Sequence, residues 1–148
     1  MHKAKGFVRK KLLMFHHIGF ATKNIARTKR IFKDLGLEMG KIIHVPSQKV
    51  KVCFSHCENH PLIELIEPAG EDSPVRNILN KVGTSPYHIC YQTAELDRAS
   101  EYLRELDFLL IKGPTPSNAL KDNKICFFYN NYFGLIEVVE VKEPSKEE

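Results

Sequence analysis

Two histidines and two glutamates recur at matching positions of this chain. His17 begins the segment HIGFATKNIARTKRIFKDLGLE, and His88 begins the similar segment HICYQTAELDRASEYLRELDFL 71 positions later. A Leu-Ile-Glu tripeptide follows each segment and contributes Glu64 to the first half and Glu137 to the second. Imidazole and carboxylate together suit a divalent transition-metal ion. A pseudo-symmetric pairing of the halves would therefore bring these four residues to one metal site.

The predicted elements around these residues follow the same order in both halves. Alternating bulky and smaller side chains predict a strand over residues 14–21. Helical spacing of apolar residues from Ile25 predicts a helix that Asn24 caps and Gly36 ends. Each half is predicted to form a strand, a helix and three strands. The remaining predicted elements are strands over 37–44, 50–55, 62–67 and 87–93, a helix over 94–106, and strands over 109–112, 124–129 and 134–141.

Two further segments lie between these elements. Asp72-Ser73-Pro74 predicts the start of a linker helix, with Val75, Ile78, Leu79 and Val82 as its buried stripe. Residues 113–123 contain two prolines and are predicted to form an irregular loop that could cover a site. The chain thus divides into a basic N-terminal arm (1–13), a first βαβββ module (14–70), the linker helix (71–85), a second βαβββ module (86–141) and a polar tail (142–148).

Length and composition are ordinary for a globular protein. Of 148 residues, 43% are hydrophobic and 27% are charged. No apolar run reaches the roughly 18–20 residues of a membrane span, and none forms a signal peptide, so we expect a cytoplasmic protein. In that compartment the cysteines are expected to be free thiols. They are Cys53, Cys57, Cys90 and Cys126.

The net charge of +4 is mild, and much of it lies in the N-terminal arm. We expect this arm to be a solvated segment, and the alternative is that its cations contact an anionic substrate. The basic residues are not interleaved with aromatic side chains, and the chain has no tryptophan, so a nucleic-acid partner is not expected.

Strand alternation predicts where the recurring residues point. His17 would share a face with Phe15 and Gly19, whereas His16 would face away from the site. Glu64 and Glu137 would each lie among apolar neighbours on a strand covered on both sides. A buried, unpaired carboxylate costs several kcal/mol or becomes protonated. Two such glutamates, each matched to a histidine, therefore indicate a buried cation.

Simpler interpretations exist for each position taken singly. A lone strand histidine is commonly a hydrogen-bonded core residue, and a lone buried glutamate can pair with an arginine. The recurrence in both halves favours the ligand set. A second cluster, at 53–60, combines cysteine and histidine, but so short a run would strain the tetrahedral geometry of structural zinc. His44 is expected at the surface, near the end of a strand.

The repeat and its residues resemble the vicinal oxygen chelate superfamily, which includes glyoxalase I, fosfomycin-resistance proteins and extradiol dioxygenases. Within it, the methylmalonyl-CoA epimerases are most similar. The resemblance covers Phe15 to Glu140. Its most specific segments are His17-Ile18-Gly19-Phe20-Ala21, Ile63-Glu64-Leu65-Ile66-Glu67-Pro68, Asp72-Ser73-Pro74-Val75, Tyr87-His88-Ile89-Cys90 and Gly134-Leu135-Ile136-Glu137.

The resemblance implies an α+β fold in which two βαβββ modules form a curled, eight-stranded mixed sheet around a metal cleft. The metal ligands would be His17, Glu64, His88 and Glu137, holding one divalent ion such as Zn, Ni, Co, Mn or Mg. The expected activity is epimerisation or isomerisation of a small acyl-CoA or other thioester through a metal-stabilised enolate. Glu137 or Glu64 would transfer the proton. A homodimer is expected, and a membrane partner is not.

The chain departs from the epimerase pattern in two regions. Pro46-Ser47-Gln48-Lys49 replaces a Pro-Glu-Gln-Gly type of turn, and Val50-Lys51-Val52 lies where some epimerases carry an acid–base glutamate. Residues 113–123 replace a glycine-rich segment. Because these regions would touch substrate, two alternatives stay open: an isomerase of the lactoylglutathione lyase (glyoxalase I) type and a non-catalytic small-molecule binding module. A dioxygenase would ordinarily use only one carboxylate ligand.

Overall fold

The two repeats fold into the same succession of elements. The computed structural model describes residues 11–142, so most of the basic arm and of the polar tail lies outside the described residues. The first repeat comprises β1 (Met14–Ala21), α1 (Ile25–Asp34), β2 (Met39–Val45), β3 (Val50–Ser55) and β4 (Ile63–Pro68). After the linker helix α2 (Val75–Lys81), the second comprises β5 (Ser85–Thr93), α3 (Leu96–Glu105), β6 (Leu109–Ser117), β7 (Asn123–Asn130) and β8 (Gly134–Glu140).

All eight strands form one mixed sheet in the order β2-β3-β4-β1-β5-β8-β7-β6. The order is symmetric about its centre, where β1 and β5 pair antiparallel. Strand β4 runs parallel to β1, and β8 runs parallel to β5. The sheet curls into a half-barrel, which confirms the predicted α+β fold. The first strand of each repeat thus lies at the centre, next to the last strand of the same repeat.

Helices α1 and α3 pack on the outer face of the sheet. Leu96, Ala99 and Leu103 of α3 contact the β8 residues Ile136 and Val138 in one core cluster. In the other repeat, Ile25 of α1 packs in a cluster with Ile63 and Leu65 of β4. Because strand side chains alternate, Glu64 and Glu137 point to the opposite, inner face. The helices therefore anchor the strands that carry both glutamates.

The hairpins at the two sheet edges meet over this inner face. Each has a short 3-10 turn, Pro46–Gln48 in one and Asn118–Leu120 in the other. The Asn118 Nδ2 donates to the His44 carbonyl at 2.9 Å, and the Lys112 Nζ donates to the Ser47 carbonyl at 2.9 Å. These contacts join the two repeats through their edge hairpins, in addition to the central β1–β5 pair.

The prediction of an irregular loop over 113–123 was wrong for residues 113–117, whereas residues 118–122 form a turn. Strand β6 continues to Ser117, and β7 begins at Asn123. Strand β6 pairs only with β7, so it is an edge strand. Proline has no backbone N–H. An edge strand tolerates it because the N–H groups that point away from the single partner strand make no hydrogen bonds within the sheet. Sequence alone did not show that this stretch lies at an edge.

The predicted buried stripe of the linker helix was correct in part. Val75 and Leu79 are buried, and Ile78 packs against the same cluster. Val82, which we expected to be buried, is 72% exposed, because α2 ends at Lys81 and the chain turns away. His44 is exposed, as predicted.

None of the helices within residues 11–142 combines the length and the apolar composition that a bilayer-spanning helix requires.

The two repeats offer a matched test of helix capping. The Asn24 side chain accepts a hydrogen bond from the Arg27 backbone N–H at 3.0 Å, whereas Glu95, at the start of α3, makes no side-chain capping bond. We expect Asn24→Ala to lower the free energy of unfolding by about 1 kcal/mol. Glu95→Ala should change it by less than about 0.5 kcal/mol. Urea unfolding measures both, and equal losses would contradict this assignment of the caps.

Candidate metal centre

The four predicted ligands converge on the inner face at the centre of the sheet. His17 and His88 lie on the neighbouring strands β1 and β5, and Glu64 and Glu137 lie on the flanking strands β4 and β8. In the parallel pairs, Gly19 is opposite Glu64, and Cys90 is opposite Glu137. Each of these four residues is at most 4% exposed. The donor atoms of His17, His88 and Glu137 all lie within 4.8 Å of one another, and Glu64 adjoins this group through its contact with His17.

Their ligand atoms lie at distances that suit one ion. The His17 Nε2 lies 3.0 Å from the Glu64 Oε2 and 3.3 Å from the Glu137 Oε1. The His88 Nε2 lies 3.3 Å from the His17 Nε2 and 3.7 Å from the Glu137 Oε1. Ligand atoms ~2.1 Å from an ion and at right angles to each other are about 3 Å apart. These measured pairs thus nearly have the spacing of adjacent ligands around one ion, and for Glu64 the measured pair is the one with His17.

Hydrogen bonding within the chain leaves this cluster incomplete. The Glu137 Oε1 is buried and has no hydrogen-bond partner among the described residues. A buried carboxylate oxygen without a partner is costly, and binding to a cation would remove that cost. Two imidazoles and two carboxylates are the donor types that divalent metals take in proteins. The residues present therefore fit a divalent ion.

The electrostatics of the metal-free cluster point the same way. Burial by itself lowers the pKa of His17, but Glu64 and Glu137 raise it to about 9. Burial lowers the pKa of His88 to about 4, so this imidazole is neutral and keeps a lone pair for a ligand bond. Burial also raises the pKa of Glu64. In the absence of a metal, a protonated His17 thus supplies the positive charge that the carboxylates attract.

The packing around the two imidazoles is also repeated. The Phe54 ring lies edge-on to His17 with 5.6 Å between ring centroids, and the Phe127 ring lies edge-on to His88 at 5.9 Å. Gly19 lies against His88 so closely that a Cβ at this position would overlap the imidazole. These neighbours fix both rings, and Gly19 leaves the room that His88 needs.

The residue before each histidine departs from the regular pairing of β1 and β5. The register shifts between Phe15 and His17, and again opposite Tyr87, between Gly19 and Phe20. The first irregularity turns His16 towards His17, with 2.7 Å between their Nδ1 atoms. The prediction that His16 faces away was therefore wrong, because strict alternation does not hold across a bulge. Phe15, predicted on the face of His17, is 48% exposed.

Sequence reasoning missed the side chains that line the space beside the carboxylates. Gln48 and Ser117, one from each edge hairpin, border this space, and the Gln48 Nε2 donates to the Ser117 Oγ at 3.3 Å. The other lining residues are apolar: Val45, Val52, Ala119 and Leu120. Gln48 also borders a neighbouring, mainly apolar cavity of about 140 Å³, together with Tyr87 and Phe127. Only the folded hairpins reveal this wall.

The cysteine and histidine side chains of residues 53–60 do not come together as a metal site. The Cys53 Sγ is buried and donates to the Gly40 carbonyl at 3.0 Å, whereas Cys57 is exposed. The opposite environments of the two thiols follow from their places within β3 and beyond its end.

Comparison with known proteins was consistent with this geometry. Residues 16–127 match the model of the Glyoxalase/Bleomycin resistance protein/Dioxygenase superfamily. A methylmalonyl-CoA epimerase from Mycobacterium tuberculosis has a similar fold, with a TM-score of 0.77, 21% identity, and coverage of 91% of this chain and 92% of that one.

Two relatives carry named activities. The ethylmalonyl-CoA/methylmalonyl-CoA epimerase of Cereibacter sphaeroides is 26% identical over 130 residues, which are 85% of this chain and 96% of that protein. The mitochondrial methylmalonyl-CoA epimerase of Bos taurus is 30% identical over 93 residues, which are 61% of this chain and 52% of that protein. The chain thus spans about half the length of the mitochondrial relatives that it matches.

Gly19 provides a test of how closely the centre is packed. We expect Gly19→Ala to displace the His88 ring, to lower the free energy of unfolding by about 1–3 kcal/mol, and to weaken binding of added Zn²⁺. Gly40→Ala is the matched strand control, since its nearest neighbour is the end of the exposed His56 side chain, which can rotate away. Thermal unfolding and Zn²⁺ titration of metal-stripped protein measure both effects. Equal stability and equal Zn²⁺ affinity of the two variants would show that the His88 ring is not confined by the backbone at Gly19.

Proposed function

The chain belongs to the Glyoxalase/Bleomycin resistance protein/Dioxygenase superfamily, and from this membership and the four converging donors we propose that it is a metal-dependent epimerase. Its substrate would be a small acyl-CoA thioester of the methylmalonyl type. The observation that carries the proposal is the convergence of these side chains on the inner face: His17 lies 3.0 Å from Glu64 and 3.3 Å from Glu137. His88 lies 3.3 Å from His17 and 3.7 Å from Glu137.

The metal would be held by these four side chains. Zn²⁺, Ni²⁺, Co²⁺, Mn²⁺ and Mg²⁺ are all compatible with a set of imidazole and carboxylate donors. When bound, such an ion supplies Lewis-acid stabilisation of the negative charge that develops on a thioester oxygen as a neighbouring carbon loses its proton. Val45, Val52 and Leu120 contribute apolar surface beside the carboxylates, and such surface would strengthen this charge stabilisation.

Proton transfer falls to a residue that borders the same space. Among the described residues that line it, Glu64 and Glu137 are the acidic ones. Glu137 lies near both imidazoles and has the oxygen without a hydrogen-bond partner, so it is our first choice as proton acceptor, with Glu64 as the second. Gln48 and Ser117 would orient the substrate by hydrogen bonding from the facing hairpins.

The adjoining apolar cavity supports a substrate with an apolar portion. It is bordered by Val50, Ile78 and Leu135 as well as Tyr87, and Lys112 lies at its edge. Gln48 borders both this cavity and the space beside the carboxylates. A thioester could therefore place its reacting carbon near Glu137 and its apolar chain in the cavity.

One observation favours a second function. Val52 is buried and lines the space beside the carboxylates, in the region where some epimerases carry an acid–base glutamate. An epimerase must remove a proton from one face of a carbon and return it to the other. A glyoxalase-type isomerase can move a proton between adjacent carbons with a single carboxylate. The apolar Val52 wall thus supports a hemithioacetal isomerase as the alternative.

Metal analysis coupled to solvent exchange separates these functions. The purified protein is assayed for bound metal and is then incubated in D₂O with methylmalonyl-CoA or with a glutathione hemithioacetal. We expect one divalent ion per chain and deuterium incorporation into methylmalonyl-CoA alone. Exchange into the hemithioacetal alone would favour the isomerase. A metal-loaded protein that exchanges neither compound, or a protein that binds no ion, would contradict the proposed epimerase.

Substitution of Glu137 tests its role in proton transfer. Glu137→Gln keeps an oxygen ligand but removes the basic carboxylate, so we expect about a 10²–10⁴-fold loss of exchange rate with most of the metal retained. Glu67→Gln, on β4 and outside the donor set, is the matched control and should exchange at the wild-type rate. Full activity of Glu137→Gln with normal metal content would assign the proton transfer to Glu64 instead.

A further inference from the structure

The outward nitrogen of His17 has a partner that the metal site does not explain. The Nε2 of His17 faces Glu64 and Glu137, so only its Nδ1 is left for another contact. This Nδ1 lies 2.7 Å from the Nδ1 of His16. The two rings meet edge to face, at 76° and with 5.0 Å between centroids. This distance is that of a hydrogen bond between the two Nδ1 atoms, and the edge-to-face rings allow the N–H of one imidazole to point at the nitrogen of the other.

The backbone is built so that this contact can form. Phe15 pairs with Tyr91 and His17 pairs with Cys90, so His16 is the additional residue of β1. In a regular strand His16 would point away from its neighbour's side chain. Bulges near functional sites redirect individual side chains in this way. Here the redirected side chain is an imidazole, which has both an acceptor and a donor nitrogen.

The second repeat has the same irregularity without the same contact. Gly19 pairs with His88 and Phe20 pairs with Pro86, so Tyr87 is the additional residue of β5. The Tyr87 ring packs perpendicular to His88, with 4.6 Å between centroids. The His88 Nδ1 is buried without a hydrogen-bond partner among the described residues. The two histidines of the metal centre are thus supported in different ways, one by a hydrogen bond and one by packing.

We propose that His16 is a positioning residue: its Nδ1 accepts the Nδ1–H of His17 and so directs the Nε2 lone pair of His17 to the metal. This inference rests on the proposed metal site. A histidine ligand is commonly oriented by a hydrogen bond on its other nitrogen, and loss of that bond typically weakens metal binding 10–100-fold. His88 makes no such bond within residues 11–142 and would be oriented by Tyr87 and Phe127.

Two substitutions at His16 separate hydrogen bonding from packing. Leucine fills similar space but accepts no hydrogen bond, whereas asparagine offers an amide oxygen as acceptor. In competition with a chelator, we expect His16→Leu to bind Zn²⁺ about 10–100-fold more weakly than the wild type, and His16→Asn to recover most of the loss. His44→Leu, the same substitution at an exposed histidine of β2 outside the donor set, is the matched control and should keep wild-type affinity.

A second readout does not depend on the metal. In ¹⁵N-labelled, metal-stripped protein, NMR should show a slowly exchanging His17 Nδ1–H proton that is lost in His16→Leu and kept in His44→Leu. This signal tests the contact even where no ion binds, so failure of the metal site and failure of the His16 role are distinguishable. Thermal unfolding of the same variants verifies that each one folds.

Three results would overturn the role of His16. The first is wild-type Zn²⁺ affinity in His16→Leu, and the second is a His17 Nδ1–H signal that this substitution leaves unchanged. The third is two Zn²⁺ ions per chain, of which His16→Leu removes one. His16, His17 and Cys90 offer donor atoms within 4.8 Å of one another, so that stoichiometry would make His16 a ligand of its own ion.

Discussion

The structure depends on how four polar side chains are tolerated at the centre of an apolar sheet. Two carboxylates and two imidazoles share one site with almost no solvent, where uncompensated charge carries a penalty of several kcal/mol per ion. Without a metal, the positive charge of a protonated His17 beside both carboxylates offsets part of this penalty. The helices on the outer face, the edge-on phenylalanines and Gly19 all serve to keep the four groups together despite that cost.

Much of the fold could be predicted because it follows from periodicity. Alternation in β4 and β8 correctly placed Glu64 and Glu137 opposite the residues that α1 and α3 cover. The repeat itself gave the pairing of histidines with glutamates, since equivalent strands of a pseudo-symmetric sheet occupy equivalent places. The predicted set of site residues therefore depended on local patterns and one long-range symmetry.

The errors arose where the outcome depends on strand pairing. A bulge is a mismatch between two strands, so nothing in the segment around His16 alone shows that its side chain turns inward. The prolines of residues 113–123 indicated a loop, but an edge position allows them to remain in a strand. Gln48 and Ser117 were not predicted as site residues, because they meet only when hairpins from opposite edges of the sheet close over the site.

The antiparallel contact between β1 and β5 also has a consequence for how the site is assembled. Each repeat contributes one histidine from its central strand and one glutamate from the strand that flanks it, β4 or β8. A single repeat therefore holds half of a coordination sphere, and two identical copies joined through the same strand would complete a two-fold symmetric one. The two halves differ at their bulges, where His16 contacts the imidazole of His17 and Tyr87 packs against that of His88. The bulges are thus where the otherwise two-fold arrangement becomes asymmetric.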